Sequence, residues 1–314
     1  MPETDPDRGL DPECAAILRL VNTQPPMHTQ PIPALRARRA VLHLPECAGA
    51  ASAEDLTIPG PAGPLQARLY RPAPAGGTPP LVVFFHGGGF VFGSLDSHYD
   101  GLCRAICGEA GALVLSVDYR LAPEHPFPAA LDDCLAAMRF AQARAEGWGA
   151  DPRRLVVAGG SAGGNLAAVT ALRLRDEGGP ALAGQLLIYP VIGLPGSAGS
   201  YAEFAEGHHL TRADMEWFWA QYLRDAADAA HPYAVPLRAR SLAGLPPAHV
   251  LTAGCDPLRD EGEDYAAAMR AAGVAVEQVR EDGMIHGFLA FPTQRAAGIV
   301  RRAAGWVRGL PPAG

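Results

Sequence analysis

The sequence lacks three features that would assign the chain to a membrane or to nucleic acid: long apolar runs, basic clusters and a basic amino-terminal segment. No window reaches the roughly 18 to 20 uninterrupted apolar residues that span a bilayer. The 26 basic residues are outnumbered by 33 acidic ones, for a net charge of −7, and form no extended run. Acidic residues stand near the start, where a signal peptide would carry basic ones. We therefore expect a cytoplasmic protein with no membrane span and no nucleic-acid partner.

Cysteine patterns typical of disulfide frameworks or metal sites are also missing. The six cysteines are scattered and include no C-x-x-C pair. Cys103 and Cys107 would share a helix face, but no histidine or cysteine pair stands at a matching spacing, so we interpret them as small buried side chains. Neither G-x-G-x-x-G nor G-x-x-x-x-G-K-[ST] occurs. We expect no metal and no cofactor.

Apolar runs of strand length recur along the chain, and amphipathic stretches of helix length separate most of them. The runs are 81–85, 112–117, 155–159, 185–189, 249–254 and 274–279. The helical stretches are 101–110, 129–146, 165–177 and 261–272. Strands without polar alternation, separated by helices, are typical of a parallel sheet covered on both faces. The pattern predicts an α/β fold.

Two regions depart from this alternation. Residues 1 to about 50 contain a predicted helix after Asp11-Pro12, followed by the basic stretch LRARRAVLH. The gap from 191 to 247 contains TRADMEWFWAQYL, a helix with more aromatic surface than a simple crossover needs. This helix either packs into the core or forms a lid over an apolar pocket.

A candidate nucleophile lies in GGSAGG, where Ser161 follows a predicted strand and precedes a predicted helix. A sharp turn of this kind forces the serine into a strained conformation, and small residues two positions away on either side, Gly159 and Gly163, relieve the crowding. The alternatives are a glycine-rich turn capped by serine and a phosphate site at the helix N-terminus. The second is weaker because no lysine follows the glycines.

A serine nucleophile needs a histidine base, which is oriented in turn by a carboxylate. On an α/β sheet both partners should follow later strands, with the acid first. His286 lies in DGMIHGF and Asp256 in CDPLRDE. Asp260 and Glu261 compete with Asp256 for the acid role, but both stand where they would open the next helix. We favour Asp256 because it stands at the strand end.

The glycines of HGGGF (86–90) follow a predicted strand end at the same sheet edge as Ser161. A tetrahedral intermediate needs preorganised donors for its oxyanion, and glycine lets bare backbone approach the substrate. We expect these donors to be the amides of Gly88, Gly89 and Ala162, the last because it follows the nucleophile.

Five motifs occur in an order that resembles one family: HGGGF, DYRLAPEHPFPA (118–129), GGSAGGN (159–165), DPLRDEG (256–262) and HGF (286–288). The chain resembles bacterial esterases of the hormone-sensitive-lipase-like family (family IV), within the α/β-hydrolase fold. The sequence departs from the family pattern at Gly160, where that family usually has Asp or Thr. This change removes a polar side chain next to the nucleophile.

The resemblance implies a mostly parallel, eight-stranded sheet with helices on both faces and a small helical cap. The cap would comprise residues 1–50 and an insertion at about 193–235, and residues 51–314 would form the catalytic domain. In YRLAPE, Arg120 and Glu124 are interpreted as support for the HGGG loop. The resemblance also leaves open a homodimer formed by pairing edge strands.

The expected function is that of a serine carboxylesterase acting on small-molecule esters with short to medium acyl chains, through an acyl-enzyme. Lactonases and amide hydrolases use the same triad. A further alternative is a small-molecule receptor, because the fold includes hormone-binding members that have lost the histidine. The presence of His286 argues against a receptor.

Overall fold

A computed structural model describes residues 9–37, 47–196 and 198–314. Part of the basic stretch LRARRAVLH and of the 1–50 segment lies outside these described residues. Eight strands form one sheet and are numbered here in chain order. They are β1 (Ser52–Gly60), β2 (Gly63–Arg71), β3 (Leu81–Phe85), β4 (Leu113–Asp118), β5 (Leu155–Gly160), β6 (Gly184–Ile188), β7 (Ala248–Cys255) and β8 (Val276–Ile285).

The strands lie in the order β1-β2-β4-β3-β5-β6-β7-β8. From β4 to β8 all neighbours are parallel, whereas β2 is antiparallel to both β1 and β4. The expectation of a mostly parallel, eight-stranded sheet is therefore confirmed. Because β5, β7 and β8 run in the same direction, the residues that follow them lie along one edge of the sheet.

The central strands are apolar along their whole length because helices cover both faces of the sheet. In β3 every residue is buried. Leu81, Val83 and Phe85 point into one hydrophobic core, and Val82 and Phe84 into a second core on the opposite face. This arrangement explains why the strand shows no alternation with polar residues.

Among the described residues, ten α-helices accompany the sheet. They are α1 (Pro12–Val21), α2 (Ile32–Arg36), α3 (Tyr99–Ala110), α4 (Ala129–Arg144), α5 (Ala162–Glu177), α6 (Ser200–Glu203), α7 (Arg212–Tyr222), α8 (Ala226–Ala230), α9 (Arg259–Ala271) and α10 (Gln294–Gly309). Helices α4, α5 and α9 contribute to one core, and α1, α3 and α10 to the other. The helices predicted from the sequence are all present, with ends shifted by a few residues.

The hairpin formed by β1 and β2 has no counterpart among the strands predicted from apolar runs. Residues of β1 are mostly exposed, and only Ile58 is buried in that strand. In β2 the buried residues Leu65, Ala67 and Leu69 alternate with more exposed ones, and Tyr70 after them is also buried. An edge hairpin of this kind lacks the continuous apolar run by which the central strands were found.

Strand β8 is longer than its apolar run indicated. The sequence interpretation placed DGMIHGF (282–288) in a short loop, but β8 continues to Ile285, after a register irregularity opposite Ala253 and Cys255. His286 consequently follows the strand directly. No helix within the described part of the chain is long and apolar enough to cross a membrane.

Candidate active site

The turn between β5 and α5 holds Ser161 in a conformation that few residues other than glycine adopt, with φ 58° and ψ −121°. A Cβ at Gly159 would overlap the carbonyl of Gly163, and a Cβ at Gly163 would overlap the carbonyl of Phe85. Only glycine fits at these two positions. The structure thus gives a steric reason for the G-x-S-x-G pattern, and the strained turn presents the hydroxyl above the carboxyl edge of the sheet.

Main-chain hydrogen bonds hold the strained serine in place. The N–H of Ser161 donates to the carbonyl of Ile188 at 2.9 Å, and the N–H of Val191 donates to the carbonyl of Ser161 at 3.1 Å. The end of β6 and the residues just after it therefore hold both the N–H and the carbonyl of Ser161. These hydrogen bonds keep Ser161 in a strained backbone conformation that it would otherwise leave.

The three predicted triad side chains lie next to one another. His286 Nε2 is 2.9 Å from Ser161 Oγ, and His286 Nδ1 is 2.7 Å from Asp256 Oδ2. The other carboxylate oxygen of Asp256 accepts the N–H of Leu258 at 2.9 Å. All three side chains are buried or nearly so, and Asp256 is 0% exposed. The geometry suits transfer of a proton from the hydroxyl to the imidazole, with the carboxylate orienting the ring.

The two competing carboxylates take other partners. Asp260 pairs with Arg259 and accepts the N–H of Ser200 at 2.8 Å. Glu261 accepts the N–H of Ile192 at 2.7 Å. In this structure only Asp256, of these three acids, contacts His286.

The HGGGF loop runs along the cavity in front of Ser161. Gly88 and Gly89 have φ of 121° and 59°, and both line the cavity together with Ser161 and His286. Ala162 is fully buried and begins α5, where first-turn N–H groups have no intrahelical acceptor. Among the described residues, none of the three amides donates to a main-chain carbonyl. All three are available as donors to a bound group.

Helix α7 both packs into the core and contributes to the cavity wall. Tyr222 stacks on Phe90 with ring centroids 3.8 Å apart and planes at 6°. Phe218 is buried and lines the cavity, where its ring fills the space next to Gly89 that a Cβ would need. Helix α7 therefore packs into the core and also lines the cavity, and its role as a lid stays a prediction.

The cavity at Ser161 has a volume of about 240 Å³, and no Asp, Glu, Lys or Arg is among the described residues that line it. Its wall consists of glycines, apolar side chains and several histidines, one of them His98. Burial lowers the pKa of His98 to about 3, so this imidazole is neutral at physiological pH. The lining favours an uncharged ligand. Elsewhere in the described ranges, no group of three or more His, Cys, Asp or Glu side chains is arranged to hold a metal ion.

The sequence interpretation missed Arg36, which lies in the basic stretch near the N-terminus. Its guanidinium donates to the carbonyl of Val91 at 2.9 Å, to that of Ala122 at 2.9 Å, and to both carboxylate oxygens of Glu124. Glu124 therefore reaches the HGGG loop through Arg36. Arg120 points elsewhere, since it pairs with the buried Asp133.

Gly160, the departure from the family pattern, lies against an aromatic ring. A Cβ at this position would be 2.9 Å from Cε1 of Tyr99. Tyr99 is buried and begins helix α3. Tyr99 thus occupies the space into which a larger side chain at position 160 would extend.

Comparison with known proteins identifies the family. Residues 82–290 match the family described as the alpha/beta hydrolase fold. The chain belongs to this α/β-hydrolase family. Among curated relatives of this hydrolase is the carboxylic ester hydrolase LipN of Mycobacterium tuberculosis, 52% identical over 75% of the chain. That match covers 64% of LipN, slightly less than two thirds of its length.

Two further relatives match over almost the whole hydrolase chain. An ethyl acetate hydrolase of Pseudomonas putida is 38% identical over 90% of this chain and 92% of its own. The solved structure of a hyperthermophilic esterase from Pyrobaculum calidifontis is 40% identical, with a TM-score of 0.86, covering 96% of this chain and 98% of that one. The resemblance to hormone-sensitive-lipase-like esterases, drawn from the motifs, is confirmed.

Proposed function

We propose that this α/β-hydrolase is a serine carboxylesterase that cleaves small esters through an acyl-enzyme. The observation that carries the proposal is the continuous hydrogen-bonded arrangement of Ser161, His286 and Asp256 in front of the glycine loop. The relatives named as ester hydrolases and esterases support the same reaction.

In the proposed reaction, Ser161 Oγ attacks the ester carbonyl carbon while its proton passes to His286 Nε2. The carbonyl electron pair moves onto oxygen and forms a tetrahedral oxyanion. As the intermediate collapses, the bond to the alcohol oxygen breaks, and His286 returns the proton to the leaving alkoxide. Water then attacks the acyl-enzyme carbonyl carbon while its proton passes to the same imidazole. The second tetrahedral intermediate collapses with cleavage of the bond to Ser161 Oγ, which takes the proton from His286 as the carboxylic acid leaves.

The oxyanion would accept hydrogen bonds from the amides of Gly88, Gly89 and Ala162. One preorganised donor of this kind is typically worth about 3 kcal/mol in the transition state. Asp256 holds His286 Nδ1 protonated, which leaves Nε2 free to accept the serine proton. The hydrogen bonds that link His286 to Ser161 and to Asp256 support these roles.

We propose uncharged esters with short to medium acyl chains as substrates. The cavity of about 240 Å³ is bounded by Phe218 and Phe291, and no charged side chain is among its described lining residues. It shares Met27, His209 and Phe291 with a larger groove of about 870 Å³. The part of the ester remote from the carbonyl would extend into that groove.

The cap proposed from the sequence has structural support in contacts between its two segments. His28 contacts Asp214 Oδ1 at 2.8 Å through both its main-chain N–H and its ring nitrogen Nδ1. Asn22 donates to the carbonyl of Gly207 at 2.8 Å. We propose that the described parts of residues 1–50 and 193–235 together cover the cavity, over the catalytic domain 51–314. The cytoplasmic location and the homodimer stay predictions.

Two alternative functions are less well supported. A receptor of the same fold would have no need for an imidazole in hydrogen-bonding contact with both Ser161 and Asp256. A lactonase or amide hydrolase would use the same triad. The comparisons favour ester hydrolysis, because the relatives described above are named as carboxylic ester hydrolases or esterases.

A fluorophosphonate probe together with p-nitrophenyl esters of increasing acyl length tests the proposal. The wild-type protein should be labelled and should hydrolyse the acetate ester, and Ser161→Ala should abolish both. Ser241→Ala, which changes an exposed serine, is the matched control and should behave as wild type. A folded wild-type protein that neither takes the label nor hydrolyses any of the esters would refute the esterase and favour the receptor.

A further inference from the structure

Glu261 is a buried acid that the proposed reaction does not use. It lies one helical turn beyond the Asp256 loop, within DPLRDEG, and is 0% exposed. A carboxyl group withdrawn from water in this way destabilises a fold unless its hydrogen bonds compensate. The burial of Glu261 therefore needs a physical explanation. An exposed acid at the start of a helix would need none.

The contacts of Glu261 lead away from its own helix. Its Oε1 accepts the N–H of Ile192 at 2.7 Å. The Tyr201 hydroxyl approaches the carboxyl without completing a hydrogen bond, and Oε2 has no hydrogen-bond partner among the described residues. Burial, together with the nearby Asp256 carboxylate, raises the pKa of Glu261 to about 8, so the group is mostly protonated at neutral pH.

The segment held by Glu261 is the same one that supports the nucleophile. Ile188 accepts the Ser161 N–H, Val191 donates to the Ser161 carbonyl, and Ile192, the next residue, donates to Glu261. Residues 188–192 thus bridge the strained serine turn and the loop that carries the catalytic acid. On the acid side of this bridge, Asp256 accepts the N–H of Leu258, and α9 with Glu261 begins at the next residue.

We propose that Glu261 is a positioning residue that sets the placement of Ser161 relative to Asp256 by anchoring residues 188–192. It touches neither substrate nor the reacting atoms. This inference rests on the proposed ester hydrolysis, because its effect is exerted through the triad. Without the anchor, the backbone at Val191 is less constrained, and the Ser161 turn relaxes from its strained conformation.

A second contact between the acid loop and the insertion runs parallel to the first. Ser200 Oγ donates to the carbonyl of Pro257 at 2.6 Å, and Asp260 accepts the Ser200 N–H. This contact holds α6 against the acid loop and does not involve residues 188–192. Glu261 is therefore the member of the motif whose hydrogen bond reaches the nucleophile side.

Three substitutions test the role. Glu261→Ala removes the acceptor for Ile192, Glu261→Gln keeps an acceptor oxygen of the same reach, and Glu263→Ala is the matched control. Glu263 is on the same helix two residues on, but it pairs with Arg280 and Thr252 away from the bridge. Each variant is assayed with p-nitrophenyl acetate for kcat and KM, and its fold is checked by circular dichroism.

Misplacement of a catalytic group by about 1 Å costs up to about 100-fold in rate, so Glu261→Ala should lose about 10- to 100-fold in kcat with little change in KM. Glu261→Gln should stay within about threefold of wild type, because the hydrogen bond to Ile192 is retained. Glu263→Ala should match wild type. A folded Glu261→Ala with wild-type kcat, or a loss that glutamine does not restore, overturns the proposal.

A second readout is independent of ester turnover. This readout is the low-field proton NMR resonance of His286 Nδ1–H, which should shift or broaden in Glu261→Ala and stay unchanged in Glu261→Gln. An unchanged resonance in the alanine variant overturns the inference. An inactive wild type with this pattern refutes the esterase and leaves the positioning role intact. Should the alanine variant fail to fold, Glu261→Asp decides: a lowered kcat supports the role, and wild-type kcat overturns it.

Discussion

Two adjacent glycines of the HGGGF loop should respond differently to the same small substitution. A methyl group at Gly89 would overlap the ring of Phe218, a side chain that further substitution can shorten. A methyl group at Gly88 would overlap the main-chain carbonyl of Phe92, which no side-chain change removes. Both residues have positive φ, so alanine also strains the backbone at each position.

For Gly89→Ala we expect two contributions to the loss of activity. The left-handed conformation costs alanine about 1 to 2 kcal/mol. Displacement of one oxyanion donor by the collision costs about 3 kcal/mol of transition-state stabilisation, which corresponds to about 100-fold in kcat. Most of the effect should therefore appear in kcat, because the donor acts on charge that develops in the transition state.

Truncation of Phe218 separates these contributions. In a Phe218→Ala background the collision is gone, and Gly89→Ala should lower kcat by no more than about 30-fold, the part due to backbone strain. Gly88→Ala should lose as much activity in that background as in the wild-type protein. The double-mutant cycle between positions 89 and 218 should thus give a large coupling energy. The cycle between positions 88 and 218 should give a small coupling energy.

The assay is steady-state hydrolysis of p-nitrophenyl acetate by the two single glycine variants, Phe218→Ala and the two doubles. Gly305→Ala is the control, since a Cβ at this position meets open space. Wild-type kcat in Gly89→Ala would refute the assignment of this amide to the oxyanion site. Equal rescue of both glycine variants by Phe218→Ala would show that the collision argument is wrong.

Three further predictions concern residues around the site. The pKa of Glu261 is raised to about 8, so the stability that its protonated form contributes is fully present below about pH 4.5 and is lost as the pH rises through 8. Glu261→Gln should therefore raise Tm relative to wild type more at pH 9 than at pH 5. Arg36→Ala removes the hydrogen bond to the carbonyl of Val91 and should lower kcat about 10-fold, whereas a change confined to Tm would contradict this. Gly160→Asp requires Tyr99 to move and should lower Tm, and an unchanged Tm would count against the contact.

Much of the sheet could be predicted because its central strands are buried on both faces. The run Leu81–Phe85 is apolar at every position, and its predicted bounds are those of β3. The hairpin of β1 and β2 was missed because an edge hairpin exposes much of its surface, so its pattern resembles that of a polar loop. The end of β8 was misplaced because strand pairing with β7, which includes an irregularity, decides where it ends.

The order of the motifs along the chain sufficed to nominate Ser161, Asp256 and His286, because turn chemistry and strand ends are local properties that sequence reports. Local pattern did not reveal the role of Arg36, whose guanidinium meets the HGGG loop 55 positions later in the chain. Nor did it assign a partner to Glu261, which at sequence level differs little from Asp260. Their partners come from other elements, and only the packing of those elements brings them together.

The amino-acid sequence by itself determined the α/β alternation, the strained serine turn and the identity of the candidate catalytic groups. Each depends on a few neighbouring residues: apolar runs, glycines that tolerate close contact, and polar side chains at strand ends. Tertiary structure alone decided that Phe218 fills the space beside Gly89 and that residues 188–192 connect Glu261 to Ser161. Those contacts join positions far apart in the chain, and they exist only because the parallel strands end at one edge of the sheet.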